Sequence, residues 1–271
     1  MVPGIKLNKW ATLLGQLCSK QEEKLMKKVL IAGESWVSQT THIKGFDSFS
    51  TVVYEEGVEY IRKAIEKAGY VVEFIPNHLA PVQFPSSIAE LNTYSCVILS
   101  DIGSNTLLLS PETFSKSIKT PNRCELLKEY VYQGGGFMMI GGYMSFSGID
   151  AKARYGFTPV KDILPVECLK IDDRAEHPEG ISPIIVKEHE VFRGIPEEWP
   201  QFLGYNKTKP IPQGEVIATI DGDPFIAVGE FGKGKSAVFT SDCAPHWGPP
   251  AFVNWEFYDI LWANLMDYLT K

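Results

Sequence analysis

Apolar residues fall along this chain in two rhythms. Val29-Leu30-Ile31-Ala32, Cys96-Val97-Ile98-Leu99 and Phe137-Met138-Met139-Ile140 are unbroken apolar runs. Such runs predict strands buried on both faces, as in a parallel sheet covered by helices above and below. Val71 to Ile75, halted by Pro76, predicts another, and Phe46 to Tyr54 reads as a strand after a polar loop. Between these runs the period lengthens. Val58, Ile61, Ile65 and Ala68 recur at helical spacing up to Gly69, and Leu126, Leu127, Tyr130 and Val131 make one face of a helix ending at Gly134.

After residue 142 the alternation fades. Residues 148–212 are rich in proline and lack a strong period, which predicts short strands and specificity loops. Val216 to Ile220, Phe225 to Phe231 and Ser236 to Thr240 are strand-like. Hairpin turns at Asp221-Gly222-Asp223-Pro224 and Gly232-Lys233-Gly234 join them. Phe252 to Leu269 reads as an aromatic-rich amphipathic helix. The sum predicts an α/β protein, a flavodoxin-like three-layer α/β/α sandwich with a mostly parallel central sheet and additional C-terminal strands.

Composition narrows the partners. A net charge of -7 and a pI near 5.4 argue against nucleic acid, which demands a basic face. No apolar run approaches the roughly 20 residues of a membrane span. Five cysteines without paired spacing suit a reducing compartment, so the chain reads as cytoplasmic. Residues 1–26 read as an N-terminal extension and residues 27–271 as a single domain. Trp255, Phe257, Tyr258, Trp262 and Tyr268 are too many aromatics for one buried helix face, which points to a homo-oligomer.

Candidate chemistry gathers where strands end, because ligands of open α/β sheets bind beyond the carboxyl ends of the strands. Reading past each strand gives Glu34 and Ser35, then Asp101, Gly103 and Ser104, then Gly142, Tyr143 and Ser145, then Asp242, His246 and Trp247. The expected ligand is a small molecule. Gly141-Gly142-Tyr143-Met144-Ser145 has the shape of a strand-to-helix elbow, Gly-x-nucleophile-x-small, with tyrosine in the nucleophile slot. Tyrosine is a poor acyl nucleophile, since a pKa of about 10 leaves almost no phenolate at neutrality. Its readings are a hydrogen-bond donor to substrate or an aromatic lid. Ser145 reads as a substrate contact or as a helix N-cap, and Glu34 as a ligand hook, a base or a loop cap. His246 is the side chain best suited to proton transfer. Cys243 reads as a buried thiol or a displaced nucleophile. Short-spaced metal ligands and a phosphate-cradling Gly-x-x-x-x-Gly-Lys-Ser pattern are both missing from the sequence, so neither a metal nor another cofactor is expected.

Four segments in order carry a resemblance: residues 28–34, residues 97–103, the elbow, and residues 231–242 with their glycine-lysine-glycine hairpin. With these, the chain resembles the class I glutamine amidotransferase-like superfamily, and within it a branch of bacterial cytoplasmic proteins related to trehalose-utilisation-type proteins. The resemblance implies an oxyanion-hole glycine turn at Asp101 to Asn105 and a catalytic role for His246. It also implies cysteine at the elbow, where this chain has Tyr143. The expected protein is a divergent relative that binds or hydrolyses a small polar substrate, or a non-catalytic binding or assembly protein on the same fold.

Overall fold

The computed structural model describes residues 27–271. The expected extension of residues 1–26 lies outside them. The chain runs through β1 (Lys28–Gly33), β2 (Ser35–Lys44), β3 (Asp47–Glu56), α1 (Glu59–Lys67), β4 (Val71–Ile75), β5 (Cys96–Ser100), α2 (Ser104–Leu108), α3 (Arg123–Gln133) and β6 (Gly136–Ile140). Short strands β7 (Val166–Cys168), β8 (Arg174–Ile181), β9 (Ile184–Ile185), β10 (Phe202–Asn206) and β11 (Thr208–Pro210) follow. The chain then forms β12 (Glu215–Ile220), β13 (Asp223–Phe231), β14 (Gly234–Phe239) and α4 (Tyr258–Leu269).

The three apolar runs become neighbours in one eight-stranded sheet of order β4-β1-β5-β6-β14-β13-β12-β9. From β4 to β14 the pairing is parallel, and β13, β12 and β9 add on antiparallel. Alternation along the runs divides two cores. Val29, Ile31, Ile98, Met138 and Ile140 face one side, with Ile61 and Ile65 of α1 and Leu261, Trp262 and Leu265 of α4. Leu30, Ala32, Val97, Leu99, Phe137 and Met139 face the other, with Leu127 and Val131 of α3 and Tyr155 and Ile163 beyond β6. Burying each such side chain contributes about 1.5–3 kcal/mol, which is why a strand apolar on both faces is held at the centre. This is the expected flavodoxin-like α/β sandwich with antiparallel additions. The helix ends follow local chemistry. The Asn122 side chain accepts from the backbone amides of Cys124 and Glu125 to start α3, and Gly134, at φ 124°, ends it.

Three expectations need correction. The stretch expected as a polar loop before Phe46 is strand β2, which pairs with β3 over its whole length in a hairpin turning at Gly45 and Phe46. Its polar residues gave no alternation because neither face meets the core. The C-terminal helix is two pieces, Pro250–Val253 and α4, parted at residues 254–257. Tyr258, Trp262 and Tyr268 are buried, while Trp255 and Phe257, in the break before α4, are half-buried. Finally, no helix follows β6. Residues 141–148 are turns and bends, and three-residue 3-10 turns come next. Among the described residues no helix is long and apolar enough to cross a membrane.

Candidate functional site

β1, β5, β6 and β14 are consecutive parallel neighbours, so the residues after them emerge at one rim. Two of the exits are strained. Glu34 (φ 44°) and Asp101 (φ 46°) take left-handed conformations uncommon outside glycine, at an order of 1–3 kcal/mol each. The reward is sharp redirection at the strand end: the Glu34 amide turns back to donate to the Ser100 carbonyl at 2.7 Å.

The lowest layer of the rim is closed to solvent. Glu34 is buried, with Oε2 accepting from Ser100 Oγ and lying 3.6 Å from Cys243 Sγ. Burial pushes the Glu34 carboxyl well above its ordinary range, and the negative charges of Asp242 and Asp101 push it further. Burial likewise raises the Cys243 thiol, aided by Glu34 and Asp242. Cys243 is thus a buried, protonated thiol, without the activating surroundings a nucleophile requires.

Above it, the turn after β6 is held by side chains that seize its backbone amides. Asp101 Oδ1 accepts from the Met144 amide at 2.6 Å, and Asn206 Oδ1 accepts from the Gly142 amide at 2.9 Å. Asp173 accepts from the amides of Ser147 and Gly148 at 2.8 and 2.9 Å, while Asn206 Nδ2 donates to Asp173 and to the Gly142 carbonyl. Gly142 sits at φ 146°, and a Cβ there would lie 2.8 Å from the Asp101 carboxylate. Ser145 is a brace between strands, accepting from the Asp101 amide at 3.1 Å and donating to the Ile140 carbonyl at 2.5 Å. Asp101 is pushed up to about 6, first by burial and then by Asp242, against the Met144 amide and His246.

The outer layer is aromatic. The Tyr143 ring meets His246 edge-on with centroids 4.5 Å apart, and His246 stacks on Trp247 at 5.2 Å. His246 Nδ1 lies 3.3 Å from Asp242 Oδ2. Burial alone would lower the imidazole, but the bond to Asp242 and the charges of Asp242, Asp101 and Glu176 outweigh it and raise it. Glu176 of β8 joins the aromatics by accepting from the Tyr143 hydroxyl and from Trp247 Nε1, each at 2.9 Å. Burial, then the Glu176 bond, raises the Tyr143 phenol, which keeps it a neutral donor. Arg174 lies over the Tyr143 ring at 4.7 Å and is aimed there by a two-point contact with Asp172. Trp247 fits because residue 204 is glycine: a Cβ there would stand 2.3 Å from Trp247 Nε1.

Glu34, Asp101, Gly142, Tyr143, Ser145, Asp242, His246 and Trp247 therefore share this rim. Ser35 and Ser104, at the starts of β2 and α2, are both buried. Ser35 is tied to Asn77, whose amide donates to Ser35 Oγ at 2.8 Å, and the Ser104 amide donates to the Ala153 carbonyl. Gly103 serves as the N-cap position of α2. Sequence reading missed Asn77, Asp173, Arg174, Glu176 and Asn206. The signal on offer was the charged cluster Asp172, Asp173, Arg174 and Glu176 in the aperiodic stretch. Glu34, Asp242 and Cys243 offer atoms within 4.8 Å of one another that could meet a metal ion. A cleft of about 360 Å³ beside Tyr94, Tyr130, Gln133 and Lys271, and one of about 290 Å³ beside Lys161, Glu167 and Lys170, contain no rim residue.

A family model described as "Putative glutamine amidotransferase" matches residues 28–271. Among solved structures, the chain is 46% identical to the cytoplasmic protein STM3548 of Salmonella typhimurium, with a TM-score of 0.86 over 89% of this chain and 98% of that one. It is 42% identical to the cytoplasmic protein STM1381 of Salmonella typhimurium LT2, with a TM-score of 0.87 over 90% and 100%. A ThuA-like protein of Parabacteroides merdae shares the fold at 11% identity, with a TM-score of 0.55 over 91% and 90%. No curated protein matches the chain.

Proposed function

The chain belongs to the glutamine amidotransferase-like family, and from that premise we propose that it keeps the strand-end site to bind a small polar ligand without hydrolysing glutamine. The observation that carries this reading is the hydrogen bond from the Met144 amide to Asp101. In an elbow enzyme, the amide after the nucleophile holds the oxyanion of the tetrahedral intermediate. Here that donor faces an internal carboxylate, and the slot before it holds Tyr143, whose phenol stays protonated. The nearest thiol, Cys243, is buried beneath the rim.

A second reading rests on the His246–Asp242 pair. A raised imidazole braced by a carboxylate, with its side chain about 40% exposed, has the make-up of a general acid or base for hydrolysis of some other polar substrate. Under both readings the protein is cytoplasmic, like the two Salmonella proteins by their descriptions, self-associates, and has residues 27–271 as its single working domain. Purified protein assayed for ammonia release from glutamine, beside a Cys243→Ser variant, tests the first reading. Release abolished by that variant would overturn it. A thermal-shift screen of small polar compounds then looks for the ligand, since any ligand that binds only the native state raises the melting temperature.

A further inference from the structure

Three two-stranded ribbons stand outside the central sheet: β2–β3, whose root is closed by the Gly57 amide donating to the Glu34 carbonyl at 3.0 Å, β7–β11, and β8–β10. The last of them carries Arg174 and Glu176 to the rim on β8. Glu176 takes one bond on each carboxylate oxygen, from the Tyr143 hydroxyl on Oε1 and from Trp247 Nε1 on Oε2. A carboxylate only accepts, and its two oxygens offer about four lone-pair sites, so two donors leave about half of that capacity open. The side chain is 47% exposed, which puts the open sites within reach of a ligand.

The charges around Glu176 do not cancel. Arg174 donates through Nε and Nη2 to Asp172 at 3.0 and 2.9 Å, and its Nη1 stands 3.7 Å from Glu176 Oε1, beyond hydrogen-bonding distance. His246 faces Asp242, with Nδ1 3.3 Å from Oδ2. Once these two cations are set against their partners, Glu176 is left over, and Asp101 acts on His246 as a further acid from below. The rim is therefore acidic even with His246 protonated. Its exposed aromatic wall already accepts a cation, since the Arg174 guanidinium lies over the Tyr143 ring at 4.7 Å.

We infer that the ligand of this site is a small organic cation bearing N–H donors, an amine, amidine or guanidine, and that Glu176 is the residue that receives it. The inference rests on the small-molecule reading proposed above and adds a charge to it. Donors of the cation fill the open lone pairs of Glu176 as charge-assisted hydrogen bonds, the stronger class. An anion of the same size brings neither a donor nor an opposite charge, and like-charge repulsion rejects it.

Three fragments of nearly equal shape separate these cases: acetamidinium, a cation with donors only; acetamide, neutral with both; and acetate, an anion with acceptors only. The full chain is titrated with each at fixed pH and ionic strength, while NMR follows the Trp247 indole N–H and the His246 ring, with Trp247→Phe to assign the former. We expect saturable shifts with acetamidinium, weaker ones with acetamide and none with acetate. Glu176→Gln, whose amide oxygen still accepts from one ring, should weaken acetamidinium by about tenfold or more, the scale of a lost hydrogen bond to a charged group. Glu179→Gln, at an exposed acid on the same strand, should leave it unchanged. Acetate bound as well as acetamidinium would keep the small-molecule reading and overturn the inference. So would acetamidinium binding that survives in a folded Glu176→Gln, or that weakens equally in Glu179→Gln. No saturable shift with any fragment would overturn both. The wild-type series decides the charge by itself, whether or not the Glu176 variant folds.

Discussion

Asp101 Oδ1 accepts from the backbone amide of Met144 at 2.6 Å, where β5 and β6 end side by side. A side chain of one strand end thereby occupies a backbone donor at the end of the next. The carboxylate is buried and sits near other acids, which is why it ionises only at about 6.

That shift fixes the sign of a pH effect. The ordinary value is 3.8 and the folded one about 6, so the native state holds the proton more tightly than the unfolded chain. Below 3.8 the group costs nothing, and stability is lost as pH rises from 3.8 to about 6. Two pKa units at about 1.4 kcal/mol each make the loss roughly 3 kcal/mol. Asp173, also raised to about 6 chiefly by burial, acts in the same direction. The melting temperature should therefore fall across that window, and fall less in Asp101→Asn, whose amide oxygen can still accept from Met144. Equal slopes in the two proteins would show that Asp101 does not titrate as described.

Installing the missing nucleophile should not restore chemistry. Tyr143→Cys places a thiol at the elbow but leaves the Met144 amide bonded to Asp101. Ammonia release from glutamine should stay at background in Tyr143→Cys. Turnover in that single variant would show that the occupied amide is no obstacle.

His246 should titrate above 6.5, and Asp242→Asn should bring it down, because the carboxylate is what overcomes the burial penalty. Imidazole proton shifts followed by NMR read this directly. An unchanged midpoint would separate His246 from Asp242.

Gly204→Ala should destabilise by about 1–3 kcal/mol, the usual cost of forcing atoms into a packed site. Its Cβ would meet the Trp247 ring and disturb the bond from Nε1 to Glu176. Urea denaturation monitored by tryptophan fluorescence measures both the loss and the altered ring environment. A wild-type midpoint would mean that β10 can retreat at no cost.

The central sheet was legible because burial on both faces writes itself into consecutive residues: Val29 and Ile31 serve one core, Leu30 and Ala32 the other. The rim positions of Glu34, Asp101, Tyr143 and His246 followed from a geometric rule, since parallel neighbours end on the same side. The residues that hold the turn and the aromatic layer from the far side did not follow. Asp173, Arg174, Glu176 and Asn206 lie on or beside β8 and β10, which pair only with each other. Such strands take their register from contacts distant in sequence, so no local period announces them. β2 was hidden for a related reason: residues 38–41, all Ser, Gln or Thr, never alternate toward a core.

The hydrogen bond between Gly57 and Glu34 has a consequence for engineering. It fixes a mouth one residue wide in the backbone, through which the sheet neither gains nor loses a partner. Foreign peptides could be spliced there at a closure cost that grows only slowly with their length. The graft would be anchored on Glu34 itself, a buried acid already in a left-handed conformation. Tension in the graft would reach that acid before any other part of the molecule, which makes the junction a natural place to build a reporter.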